Sequence, residues 1–136
     1  MVEGETLRAL LAGLSPQLEE TEFVFTSHPA RPDPPPADAV VVVSEAEGWT
    51  VVVPRDEAVR RGWRHRFACR RITLAVHSDL EAVGLTAAVA AALAEAGIPA
   101  NVVAGFHHDY VFVPADRADE ALAVLENLSR RAGAGD

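Results

Sequence analysis

Residues 84–114 read GLTAAVAAALAEAGIPANVVAGFHHDYVFVP. Leu85, Ala88, Val89, Ala92, Leu93 and Ala96 recur at helical spacing on one face and Gly97 supplies a stop, so residues 84–97 predict an amphipathic helix. Beyond Pro99 the period changes. ANVVAG and DYVFVP are short, valine-rich and separated by a polar bend, the pattern of a β-hairpin. Before the helix stands CRRITLAV (69–76), which reads as a strand; after the hairpin stands ADRADEALAVLENLSRR (115–131), an amphipathic helix that Asp116 is placed to cap. Strand, helix, hairpin and helix in that order make a split βαβ unit, in which an antiparallel sheet carries its helices on one face.

The first half repeats the order more loosely. ETLRALLAGL (5–14) spaces Leu7, Leu10, Leu11 and Leu14 helically, SPQ ends it, and EFVFTS (22–27) is extended. HPARPDPPPAD (28–38) is a surface connection, because proline removes a backbone donor and holds the chain extended. AVVVVSEAEGWTVVVP (39–54) predicts two strands joined by a turn over Ser44 to Gly48, and a short helix follows at 55–61. WTVVVPRDEAV (49–59) and YVFVPADRADEAL (110–122) share an aromatic, a valine-rich strand, a proline and an acidic helix start. The expectation is an α+β chain of two ferredoxin-like modules, the first lacking an evident leading strand. The modules should span 1–64, with a Pro-rich loop at 28–38, and 65–130, and the tail at 131–136 should fray.

With 136 residues, 49% of them apolar, the chain can bury a core without staples. Its one cysteine, Cys69, cannot close an internal disulfide and is expected to be a small buried hydrophobe. Together with the absence of a recognisable signal peptide, this gives a cytoplasmic expectation. No apolar run approaches the roughly 20 residues that cross a bilayer, so no membrane partner is expected. The net charge of −8 opposes binding to nucleic acid, and the arginine-rich segment at 60–66 reads as a solvated linker. There is no lysine, which excludes Schiff-base, pyridoxal-phosphate and phosphate-loop chemistry.

The stretch RITLAVHSDLEAVGLTAAVAAALAEAGIPANVVAGFHHDYVFVPADRADEALAVL (71–125) resembles the second module of small bacterial tandem ACT-domain proteins, while LEETEFVF and GWTVVVP agree more loosely with the first. The resemblance implies a regulatory module that binds an amino acid or similar ligand, associates through its sheet as a homodimer and catalyses nothing. It places binding on the loop and helix start from His77 to Thr86. That loop, HSDLEAVG, is longer than the usual one and lacks its proline.

The residues point to the same region. Backbone N–H groups at a helix start lack partners, so a carboxylate docked near Gly84, Leu85 and Thr86 is favoured; the alternative is a capping box of Ser78 and Glu81 that satisfies them internally. The expected ligand-binding set is His77, Ser78, Asp79, Val83, Gly84, Leu85, Thr86, Asn101, His107, His108 and Asp109. Asn101 and Asp109 suit an amino acid's polar end, or simply cap turns. Adjacent histidines on an extended chain point apart, and no paired-histidine helix motif appears, so neither metal nor cofactor is expected. The alternatives are an interaction module with no ligand, or a metal-assisted enzyme using His77, His107, His108 and Asp109. Trp49, Trp63 and Phe106 read as packing residues.

Overall fold

The computed structural model describes residues 3–76 and 84–134. Its elements are α1 (Glu3–Ala12), β1 (Pro16–His28), β2 (Val41–Glu45), β3 (Gly48–Pro54), α2 (Arg55–Arg61), β4 (Arg66–Leu74), α3 (Leu85–Glu95), β5 (Asn101–Ala104), β6 (Asp109–Pro114), a 3-10 turn (Ala115–Arg117) and α4 (Ala118–Gly133). The chain packs into two compact units. One joins Met1–Glu19 to Arg70–Asp136, and the other is Glu20–Cys69. Strands β1 and β4 each contribute a stretch to both units, so the packing units and the sequence repeats are different partitions of the chain.

In the first unit the strands run β1-β4-β6-β5. Strand alternation puts Ile72, Leu74, Val111 and Val113 on one face, where they are buried with Leu85, Val89 and Leu93 of α3 and Ala118, Ala121 and Leu125 of α4. Both helices thus cover that face, as the split βαβ pattern requires. The other face combines the buried Phe112 with polar groups. Arg71 grips Glu19 with two hydrogen bonds, 2.6 and 3.0 Å, Thr73 donates to the same carboxylate, and the Arg71 guanidinium lies 4.8 Å from the Tyr110 ring centre. Helix α1 lies beside α4, where the Ser129 hydroxyl donates to Ala12 O at 2.9 Å.

In the second unit the order is β2-β3-β1-β4. The β1–β3 pair is antiparallel with Val24 opposite Val53 and Thr26 opposite Val51, and α2 covers these residues with Ala58. Thr26 is buried, and its hydroxyl donates to Val51 O at 2.7 Å.

Several boundaries differ from expectation for identifiable reasons. β1 starts at Pro16, not at Glu22, because proline is tolerated as the first residue of a strand and the acidic stretch that follows finds Arg55, Arg70 and Arg71 as partners. β4 starts at Arg66, not Cys69. Phe67 there has φ 59° and its ring packs edge-on to Phe25 at 5.6 Å, a local irregularity that alternation does not foreshadow. Asp116 does not cap α4: Pro114 leads into a 3-10 turn, and the residue preceding α4 is Arg117. Arg117 instead donates to Ala96 O (3.0 Å) and Gly97 O (2.7 Å), closing the end of α3. α4 runs to Gly133, so residues 131–133 are helical and Ala132 belongs to the core.

Candidate functional site

His77, Ser78, Asp79 and Val83 lie outside the described residues, as does Glu81 of the alternative capping box. Gly84 precedes α3 in a left-handed conformation, φ 98°, and a Cβ there would stand 3.1 Å from the Leu7 side chain. Leu85 is buried in the core and Thr86 is exposed on the first turn. That turn carries neither a side-chain cap nor an acidic residue. Its leading N–H groups therefore keep their affinity for an anion.

The bend between β5 and β6 is tight. Ala104 pairs with Asp109, and Gly105 N–H donates to His108 O at 2.8 Å. A Cβ on Gly105 would stand 2.9 Å from that oxygen and 3.0 Å from the Tyr110 ring, so only glycine fits. His107 is exposed at the tip, edge-on to Phe106 at 5.1 Å; His108 is half-buried. Asp109 is 8% exposed and shares the helix-facing side with Val111 and Val113. Its carboxylate has no hydrogen bond or ion pair with any described residue.

Asn101 does not join this corner. It pairs with Phe112, three residues along the ladder from the Ala104–Asp109 pair, or about 10 Å at the usual strand rise. By alternation it also faces the opposite side of the sheet. The site expected from the sequence thus divides: Gly84, Leu85 and Asp109 belong to the helix side of one unit, His107 is at the tip of the bend, and Asn101 points elsewhere. Among the described residues no group of three His, Cys, Asp or Glu side chains could hold a metal ion.

Cavities that the sequence did not announce lie within the second unit. One, of about 490 Å³, is lined by Phe25, Ser27 and Thr50 from the strands and by Arg64, His65 and Arg66. Another, of about 470 Å³, is lined by His28, Pro32, Asp33, Pro34, Arg61 and Trp63. His28 Nε2 is 2.8 Å from Thr26 Oγ1. Since that hydroxyl spends its proton on Val51 O, the imidazole is the donor and Nε2 carries a proton. Burial, and then the Arg61 charge, hold the pKa of His28 below its ordinary value. Its ring meets Trp63 edge-on at 4.4 Å, and Arg61 stacks on the same indole at 4.8 Å. Trp63 is thus packing, as expected, but packing that forms a wall. The arginine run with no acid among Gly62–Cys69 was the available sequence signal. Cys69 is fully buried; burial, and then Glu22, push its thiol up to about 12, and Sγ donates to Phe23 O.

No curated protein sequence matches the chain. Residues 3–70 and 66–127 each match a family model described as an ACT domain. Among solved structures, a protein of unknown function from Vibrio cholerae, described as a possible transport protein, superposes with a TM-score of 0.85 at 37% identity, covering 94% of this chain and 99% of that one. An Agrobacterium tumefaciens protein gives 0.68 at 14% identity, with 84% and 87% covered. The ligand-free regulatory subunit of Thermus thermophilus aspartate kinase gives 0.64 at 12% identity, with 85% and 97% covered, a likeness of fold. The chain belongs to the ACT domain family, as two ACT domains in tandem.

Proposed function

We propose that this chain is a regulatory, non-enzymatic protein that binds an amino acid or a closely related small carboxylate at the corner formed by the α3 start and the start of β6. The observation that carries the reading is Asp109, an acid at the bend that is only 8% exposed and whose carboxylate bonds no other described residue. An ammonium group would supply its missing counter-charge, while the uncapped first turn of α3 would receive the carboxylate of the same ligand. We further propose a homodimer formed through sheet edges and a cytoplasmic setting. Edge strand β2 leaves Val42 and Val43 about half exposed, which supports association, and the single unbridged cysteine suits a reducing compartment. No helix among the described residues is long and apolar enough to cross a membrane.

Thermal unfolding in the presence of each amino acid tests the reading, because a ligand that binds only the native state raises the midpoint with concentration. One or a few amino acids should raise it, and Asp109→Asn should abolish that shift while leaving the fold intact. A flat response to all of them would dismiss the ligand and favour an interaction module.

A further inference from the structure

The arginine-rich run left over from the sequence reading contains two side chains that no described residue binds. Arg55, Arg60, Arg61, Arg71 and Arg117 form ion pairs, and Arg70 donates to Glu19 O. Arg64 and Arg66 are bonded to no described residue, although the chain carries a net charge of −8. Both line the same cavity of about 490 Å³, together with His65, Ser27 and Thr50. Guanidinium groups without acceptors, gathered around a concavity, concentrate positive potential where an anion can enter.

The backbone of this wall is held in an uncommon shape. Phe67, the residue after Arg66, has φ 59°, a conformation that side chains other than glycine, asparagine and aspartate seldom adopt. It is stabilised by the edge-on contact of its ring with Phe25, itself part of the cavity lining. Such conformations persist where the surroundings over-determine them, and they cluster at functional sites. His65 is tethered through Nδ1 to Trp63 O at 3.0 Å. Thr50 is occupied by Glu45, but Ser27 keeps its hydroxyl available.

We infer that this cavity is a second ligand site, for a small metabolite bearing a phosphoryl group. A phosphate monoester carries close to two negative charges and three acceptor oxygens, which two guanidinium forks and a serine hydroxyl match; a single carboxylate would leave much of that donor set unused. The volume lies within the roughly 300–1,000 Å³ of small-molecule pockets and exceeds what bare phosphate needs, and Phe25 offers an apolar surface for the organic part. A polyanionic nucleic acid is disfavoured by the overall acidity. This site is independent of the Asp109 corner, and its success or failure leaves the amino-acid reading untouched.

Isothermal titration of the full chain with inorganic pyrophosphate, and with succinate at matched ionic strength, tests the assignment. Pyrophosphate should bind saturably with about one equivalent, and succinate at least about tenfold more weakly. Arg64→Gln with Arg66→Gln should weaken pyrophosphate by about tenfold per arginine, because each removes a charge-assisted hydrogen bond. Arg8→Gln with Arg130→Gln makes the same charge change on exposed residues of the other unit and should leave affinity within about twofold. Should the double glutamine variant lose its native circular dichroism, Arg64→Lys with Arg66→Lys keeps the charge and should still weaken binding by removing the fork. Absence of saturable binding, equal affinity for succinate, an unweakened cavity variant that remains folded, or an equal loss in the Arg8/Arg130 control would each overturn the proposal.

Discussion

Glu57 gives the sharpest energetic test of the second unit. It is 6% exposed on the first turn of α2, where the helix dipole favours an acid, and its carboxylate is shared: one oxygen takes Arg60, the other takes Arg61 Nε at 2.8 Å. The two arginines differ in setting. Arg60 is 68% exposed, whereas Arg61 is 24% exposed, stacks on Trp63 and donates to Pro34 O at 2.8 Å. Unit charges about 4 Å apart attract by ~4 kcal/mol at an effective dielectric constant near 20, before desolvation and side-chain ordering are subtracted. For the covered, already ordered Arg61 a net coupling of about 1.5–2 kcal/mol should survive. For the solvated Arg60 about 0.5 kcal/mol or less is expected. Urea unfolding of the parent, Glu57→Gln, Arg61→Met and their combination measures the first coupling, and the same cycle with Arg60→Met measures the second. The Pro34 bond is lost in both members that lack Arg61 and so cancels. A Glu57–Arg61 coupling no larger than the Glu57–Arg60 coupling would refute the idea that burial of the pair, not its mere proximity, stabilises this unit.

Gly48 has φ 145°, and a Cβ there would stand 2.3 Å from His28 O, a backbone atom of the paired strand; Gly48→Ala should destabilise by ~2–4 kcal/mol in the same assay, whereas Gly13→Ala, meeting nothing closer than 3.5 Å, should change little. Equal effects of the two substitutions would show that the β1–β3 contact yields freely. Native protein should resist an aromatic disulfide reagent, because Cys69 is buried and protonated, and should release about one equivalent on unfolding. Rapid native labelling would mean that the strand opens. His28 has a folded pKa below its unfolded value of 6.5, so the unfolded chain takes up the proton more readily. The stabilisation is therefore complete above that value and is lost as pH falls through it toward the lower folded pKa. Thermal midpoints measured from pH 8 down to about 5 should show a decline that His28→Gln reduces, and an identical slope in the variant would remove His28 as its source.

The parts of the fold legible in the sequence are those set by local periodicity. The helix over 84–97 and the hairpin beyond it follow from spacing and from Gly97, and they appear as α3, β5 and β6. Where long-range partners decide, sequence reading falls short. β1 extends through an acidic stretch because of arginines 33 to 52 residues away, and Arg117 is drawn to the end of α3 and not to its own helix start. The polar corner was partly visible. Glycine and aspartate mark a turn, but the face on which Asn101 emerges depends on hairpin register, and a shift of one residue inverts it. Of the cavity of Arg64 and Arg66 only the acid-free arginine run was visible, because its opposite wall, Phe25 to Ser27, is distant in the chain and its shape depends on the backbone at Phe67.

Because Ser129 of α4 holds the end of α1, the outermost described helices are stitched together while Glu20–Cys69 is one uninterrupted excursion. Such threading lends itself to circular permutation: a chain reopened among the prolines of 29–36 and relinked between its outer helices would keep every bond of that clasp. It also suggests how the excursion could be exchanged, lengthened or retuned across related chains as a cassette while its host core stays as it is.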